Sequence, residues 1–406
     1  MDIFLARQPI FDKELRVQAY ELLFRSSLEN FYQHFNGDEA TSTVLDHSFF
    51  GVGLEEVTRG KRAFVNFTRN LLVKEFATLF SKDMLVVEIL EDIEPDREIV
   101  GKCQRLKELG YSIALDDFTM RPGFEFVLPY VDIVKIDFVS TRGVERRLVI
   151  DDLRTATSNI LFLAEKVETQ EDFDEARKIG YTYFQGYFFE RPNIISKKAV
   201  SAYKMNYLRI LQEINRPELN LNRLEAIFKQ DVTLSYKLMT YINSAYFGFP
   251  NEIRSIRHAL SLLGPKEARK WLSLMALSSI GKDKSEELVV SSLFRANLCE
   301  LLAPLVGMKE YGADLFLVGL FSMIDAFLDQ PLETILESLP ISKRIKTTLL
   351  GEDTEFSNIY KLVLAYEKGA WDTAFSYLSM FETKVENLPE LFIRTVERSN
   401  SLVPIA

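Results

Sequence analysis

DREIVGKCQRLKELGYSIALDDF (96–118) is the stretch that decides the fold. Residues 96–109 place Ile99, Cys103 and Leu106 four and three apart, which is the spacing of one helix face. Gly110 stops that pattern as a helix C-cap glycine would, and Tyr111 opens the run SIALDDF (112–118). The same rhythm returns at 170–179 (QEDFDEARKI), where Gly180 and Tyr181 lead into YTYFQGYFF (181–189). Outward from these lie AFVNF (63–67), MLVVEI (84–89), VDIVKIDF (131–138) and ILFLAE (160–165). Six apolar runs alternating with helix-like stretches predict a parallel sheet covered by helices, as a β/α barrel or a doubly wound sheet.

After Pro192 the texture changes. Helical periodicity covers 202–215, 221–229, 231–246, 255–263, 265–280, 286–305, 312–328 and 331–349, with breaks at Pro217, Gly248, Gly264, Gly281 and Gly307. No alternating strand run is visible. The expectation is an α/β domain over 1–198 followed by an all-α domain over 199–406.

Composition narrows the function. A chain of 406 residues exceeds one compact core, and 47% hydrophobic against 27% charged residues excludes wholesale disorder. The net charge of −10 would repel a phosphate backbone, so nucleic acid is not an expected partner. Two distant cysteines, Cys103 and Cys299, argue against a disulfide framework and fit a reducing cytosol. Only His34, His47 and His258 supply imidazole, which disfavours a site built on several histidines. The N-terminal MDIFLARQPIFDKELR (1–16) has no long apolar core. The longest apolar run, LFLVGLFSMI (315–324), is about half a bilayer span and ends at Asp325. A cytoplasmic, soluble chain without a membrane partner is expected.

Chemistry gathers at the ends of the apolar runs. Asn66, Glu88, Asp116, Asp117, Lys135, Asp137, Glu165 and Gln185 each lie near the C-terminal end of a run in the first half. In a β/α barrel such ends converge on one rim, where active sites are built. With Glu21 they form a set of hard oxygen donors lacking histidine and cysteine, which suits Mg²⁺ or Mn²⁺. Packing those carboxylates together without a cation would be strongly repulsive. Divalent ions, carboxylates, one amine and a water make up an apparatus for phosphoester hydrolysis.

Residues 1–195 resemble the EAL domain family of c-di-GMP phosphodiesterases. The name-giving motif stands as Glu21-Leu22-Leu23, followed by Phe24-Arg25, with Gln8-Pro9-Ile10 before it. VNFT (65–68), Glu88 with Glu91, ALDDF (114–118), VKID (134–137), AEKVET (164–169) and FQGYFF (184–189) follow in family order. The resemblance implies a TIM-like β/α barrel, often with one strand reversed. It also implies Glu21, Asn66, Glu88, Asp116, Asp117 and Glu165 as metal ligands for Mg²⁺ or Mn²⁺. By the same carry-over Lys135 lies near the attacking water, and Glu165, Glu88 and Asp116 join it in catalysis. Arg25 would pair with a ligand phosphate, Gln8 would approach a guanine, and Gln185 and Glu168 would complete the ligand site. Two departures stand out. The family's Gly-Thr-Gly-Tyr-Ser-Ser loop after the Asp pair reads Thr119-Met120-Arg121-Pro122-Gly123-Phe124, and its Ala-Glu-Gly-Val-Glu carries Lys166 in place of glycine.

The helical half resembles an HDOD domain, a non-catalytic relative of HD phosphohydrolases, on Asp231, Asn243-Ser244-Ala245 and Leu263-Gly264. Its single histidine, His258, is followed by Ala259, so the His-Asp metal pair is missing and His258 reads as a core or capping residue. The expected function is metal-dependent hydrolysis of c-di-GMP to linear pGpG, weak or regulated because of the altered loop. The alternative is an impaired c-di-GMP receptor or scaffold that signals through the HDOD domain. Besides c-di-GMP, a second copy of the chain and an unidentified protein are the candidate partners.

Overall fold

Eight strands close into a barrel in the computed structural model, which describes residues 4–25, 54–118, 123–156, 159–190, 202–216, 223–225, 228, 232–243, 253–381 and 388–402. The strands are β1 (Phe4–Phe11), β2 (Val17–Arg25), β3 (Arg62–Phe67), β4 (Leu85–Ile89), β5 (Ser112–Leu115), β6 (Ile133–Asp137), β7 (Leu161–Glu165) and β8 (Tyr183–Gln185). β3 to β8 are the six runs expected from the sequence. Neighbours from β2 through β8 pair in parallel, whereas β1 is antiparallel to both β2 and β8. The reversed strand is therefore β1, joined to β2 by a tight turn. In that turn Asp12 Oδ1 accepts the Glu14 and Arg16 backbone N–H groups at 2.9 Å, and Leu15 takes a left-handed φ of 61°.

Helices precede most of the later parallel strands. Helix Arg97–Glu108 starts with Asp96 capping the Glu98 and Ile99 N–H groups, and buries Ile99, Cys103 and Leu106. Gly110 and Gly180 take φ of 90° and 111°, the left-handed backbone that stops a helix and turns the chain into β5 and β8. Inside the barrel every strand contributes to one apolar layer: Ile10, Ala19, Phe64, Val86, Ala114, Ile133 and Leu163, with Tyr183 packed against them.

The hairpin leaves a gap in that covering. A reversed strand reached by a tight turn has no crossover helix, yet Leu5 and Phe11 on β1 are buried. Phe188 and Phe189 pack on Phe11, and the C-terminal segment covers the other end of the strand at Phe4. Met1–Arg191 groups with Lys361–Ala406 as one unit, and Pro192–Tyr360 forms the other. The expected division, with all of 199–406 in one helical domain, thus differs from the contacts at 361–406. Helix Leu388–Leu402 packs on β1 and on helix Leu54–Val57, where Asn400 Nδ2 donates to the Glu56 carbonyl at 2.9 Å. Helix Trp371–Leu378 sets Phe375 edge-on to Phe4 at 4.8 Å, with Trp371 at 6.2 Å.

Considered by itself, the Pro192–Tyr360 unit is helical, with Ala202–Ile214, Val232–Ile242, Ile256–Ile280, Glu286–Leu302, Gly312–Phe321, Ile324–Leu328, Leu332–Ser338 and Lys343–Leu349. The expected break at Gly264 and Pro265 is a kink within Ile256–Ile280. The 312–328 stretch, expected as one helix, is two, because the Ser322 hydroxyl takes the Gly319 carbonyl at 2.7 Å. Leu315, Phe316, Val318 and Leu320 are buried as expected, and Gly319 lets its helix approach the backbone of Arg295 and Ala296. Helix Glu286–Val306 is long and apolar enough to cross a bilayer, but 72% of its apolar window is buried inside the protein, the behaviour of a core helix. His258 is not a core residue: it lies exposed in a first helical turn capped by the Ser255 hydroxyl. Asn243 ties its own end to Ile253 through two hydrogen bonds of 2.9 and 2.7 Å. Asp231, Ser244 and Ala245 lie outside the described residues, as do His34 and His47. Cys103 and Cys299 are both buried and unbridged.

The covering role of the C-terminal helices has a measurable cost. Trp371 is buried against Phe4 and Tyr366, so Trp371→Ala should destabilise the barrel by about 3–5 kcal/mol. Denaturant unfolding, with amide exchange followed in Phe4–Phe11, reads this directly. Unchanged exchange in β1 would mean that the C-terminal helices do not support it.

Candidate active site

The site is the barrel layer directly above the apolar one. Side chains alternate along a strand, so residues two apart point the same way. Two residues beyond Ala19, Phe64, Val86, Ala114, Ile133, Leu163 and Tyr183 stand Glu21, Asn66, Glu88, Asp116, Lys135, Glu165 and Gln185. On the reversed strand the step runs backward, and two residues before Ile10 stands Gln8. Eight strands thus contribute eight polar side chains to one level.

Lys135 is the hub. Its ammonium is fully buried, bonded to Glu88, 2.7 Å from Glu165 Oε1, 2.8 Å from Asp116 Oδ1 and 3.4 Å from Glu21 Oε2. Gln185 Nε2 extends the network, donating to Glu21 Oε2 at 2.5 Å and to Gln8 Oε1 at 3.1 Å. Gln8 Nε2 in turn donates to the Tyr187 hydroxyl at 3.0 Å and the Lys368 carbonyl at 3.3 Å. Tyr187 and Lys368 were not anticipated from the sequence. The first sits two residues past Gln185, and the second belongs to the C-terminal segment, which no local pattern ties to the barrel. Gly186 makes the turn possible: at φ 144°, a Cβ there would fall 2.1 Å from the Val167 carbonyl oxygen.

One ammonium does not balance four carboxylates. Burial pushes Glu88 well above the usual carboxylate range; Lys135 opposes that rise, and Glu21, Asp116 and Glu165 add to it. Burial likewise lifts Glu165 to about 8. For Lys135 burial works toward deprotonation, but the surrounding carboxylates outweigh it and hold the group firmly protonated.

The donors fit a hard cation. Asn66 Oδ1, Glu88 Oε2, Asp117 Oδ1 and Gln185 Oε1 are buried with no hydrogen-bond partner among the described residues. Unsatisfied buried oxygens are costly, and metal coordination is one way to satisfy them. Glu21, Glu88 and Glu165 bring ligand atoms within 4.8 Å of one another, and so do Asp116, Asp117 and Glu165. All six expected metal ligands are thus at the rim, five of them in these two groups. Of the remaining expected residues, Glu168 is exposed in the turn after β7. The Arg25 side chain lies outside the described residues, and so do residues 119–122 of the altered loop.

The hub yields a stability prediction. Lys135→Met removes the only ammonium bonded to this buried cluster among the described residues and should cost about 3–5 kcal/mol in metal-free protein. Carboxylates whose folded pKa is raised destabilise above their unfolded value and cease to do so once protonated. The loss should therefore be larger at pH 8 than at pH 5, and added Mn²⁺ should recover part of it. Denaturant melts in a chelator at both pH values check this, and a loss independent of pH would contradict the assigned charges.

Comparison with known proteins agrees with this geometry. A family model for the EAL domain matches residues 48–192, and one for the HDOD domain matches 202–329. The uncharacterized protein YuxH of Bacillus subtilis is 38% identical over 381 residues, 92% of this chain and 92% of that one. A Vibrio cholerae protein named cyclic di-GMP phosphodiesterase CdgJ is 36% identical over 370 residues, 91% of this chain and 85% of its own length. Among solved structures, the Bacillus subtilis YkuI protein, with an EAL domain and in complex with c-di-GMP and calcium, is 21% identical. That match covers 61% of this chain and 64% of the other at a TM-score of 0.36. With two relatives matched over most of their lengths, the chain belongs to the EAL family, in the arrangement that joins the barrel to an HDOD domain.

Proposed function

We propose that this chain is a cytoplasmic c-di-GMP phosphodiesterase that opens the cyclic dinucleotide to linear pGpG. The observation that carries the reading is the layer of buried oxygen donors around Lys135, with Asn66, Glu88, Asp117 and Gln185 each holding an unsatisfied oxygen. The Vibrio cholerae relative, named a cyclic di-GMP phosphodiesterase, supports it. Glu21, Asn66, Glu88, Asp116, Asp117 and Glu165 would hold Mg²⁺ or Mn²⁺. Such an ion, when bound, lowers the pKa of a water and offsets charge developing on phosphate.

The chain's own groups divide the remaining tasks. Lys135 stays protonated and supplies fixed positive charge beside the attacking water rather than a base. Glu165, whose proton affinity burial raises in the metal-free protein, would ionise beside a bound cation, complete the metal shell and orient the attacking water. Glu88 and Asp116 hold the Lys135 ammonium in place and serve as ligands. The water oxygen bonds to phosphorus, one phosphodiester P–O bond breaks, and the departing sugar oxygen takes up a proton. Arg25 on β2 is assigned to a ligand phosphate. Gln8, Gln185 and Glu168 are assigned to the dinucleotide on the side of the site formed by β1, β8 and the turn after β7.

A receptor with little turnover is the second reading, favoured by Lys166, whose ammonium lies 3.8 Å from the proposed ligand Asp117. The helical unit contains one exposed histidine and is assigned a binding role toward a protein partner or a second copy of the chain.

Purified full-length protein incubated with c-di-GMP and Mn²⁺ should yield pGpG on separation of products. Glu165→Gln should reduce turnover at least about 100-fold while leaving c-di-GMP binding in Ca²⁺ measurable. Arg25→Ala should weaken binding by about 1.5–3 kcal/mol. Binding without any product from the wild type would decide for the receptor, and no binding by either protein would end both readings.

A further inference from the structure

Lys166 follows Glu165 directly and adopts a left-handed φ of 53°, backbone that favours glycine. Glycine is also what the family pattern carries there. The lysine is held rather than loose. Its Nζ donates to Asp137 Oδ2 at 2.6 Å and stands 3.8 Å from Asp117 Oδ2. Asp137 is itself fixed, its Oδ1 accepting the Val139 and Ser140 N–H groups at 2.6 and 3.2 Å. It stands two residues past Lys135, one level further out on the same strand. The lysine stem is half exposed, so it reaches the rim from the solvent side. Asp117 is strained as well, with φ 38°, and its Oδ1 is the buried oxygen without a partner.

The two ligand groups at the rim are therefore not equivalent. Glu21, Glu88 and Glu165 surround the inner position, while Asp116, Asp117 and Glu165 form the outer one, beside the Lys166 ammonium. Lys135 contacts carboxylates of both groups and so does not distinguish them. Lys166 adds a second fixed positive charge beside the outer group, which offsets its negative charge and repels an incoming divalent ion there.

We propose that Lys166 is a tethered cation that stands in for the charge of a second divalent ion, so that this chain loads one ion at the inner group and disfavours another at the outer group. The proposal rests on the metal-dependent reading of the site given above. Lys166 is a positioning residue in this account. It selects how many ions the rim accepts and touches no reacting atom.

The test counts ions in full-length protein rather than turnover. Mn²⁺ is titrated by calorimetry, with free Mn²⁺ followed by its paramagnetic resonance signal. Wild type should bind one ion tightly, with any second at least tenfold weaker. Lys166→Gly removes the charge and relieves the left-handed backbone, whereas Lys166→Met removes the charge but keeps the bulk. Both should bind a second Mn²⁺ at least tenfold more tightly than wild type does. Asp117→Asn placed on Lys166→Met should abolish that gain. A gain in the glycine variant alone would assign the effect to backbone or bulk and overturn the charge account. Two equally tight ions in wild type, or one ion in all three proteins, would overturn it as well. No Mn²⁺ bound by wild type would remove the metal-dependent reading itself, an outcome distinct from one ion bound with no response at position 166.

Discussion

One buried ammonium among four carboxylates sets the terms for this structure. Lys135 can be buried because Glu21, Glu88, Asp116 and Glu165 surround it, and each of them tolerates burial partly because Lys135 is there. Its attraction is not enough for all four, and the excess negative charge is what makes the layer chemically useful. A barrel wall holds the arrangement rigidly, since each contributor is anchored by strand pairing, as with Asn66 beside Glu88 and Asp137 beside Glu165. Removing a partner from such a cluster costs far more than its surface counterpart would.

Much of that layer could be read from the sequence because it inherits the period of the strands. Ile133 and Lys135, or Leu163 and Glu165, differ by two and must share a face, so an apolar core residue followed two places later by a charge marks the inner rim. Six strands were legible through their apolar runs. β1 and β2 were not, because Arg7, Gln8, Gln18 and Glu21 interrupt them and the pair is a hairpin rather than a strand and helix. The motifs Gln8-Pro9-Ile10 and Glu21-Leu22-Leu23 were recognised by resemblance, and only the pairing of Gln8 with Glu21 explains why they belong together. The return of 361–406 to the barrel leaves no local pattern at all. Its helices are amphipathic like those before them, and nothing in their spacing says which surface they cover.

The rim also concentrates backbone strain. Asp117 at φ 38° and Lys166 at φ 53° are non-glycine residues in a region that disfavours side chains, while Gly186 nearby has no alternative. Such outliers persist only where the surroundings over-determine them. Here strand ends and charge pairs do so, with Lys166 bound to Asp137 and standing 3.8 Å from Asp117.

The hairpin at the start of the barrel has a consequence for synthesis of the chain. All eight strands have been made by Gln185, but the helices that cover β1 begin only after Lys361. Roughly 170 residues of the helical unit must be translated in between, on the order of ten to thirty seconds at about 5–20 residues per second. During that interval the ribosome-bound barrel has an apolar strand, including Phe4 and Leu5, with no helix of its own to shield it. In a nascent chain of this design the outer face of β1 therefore stays uncovered by its C-terminal helices for as long as the helical unit takes to emerge.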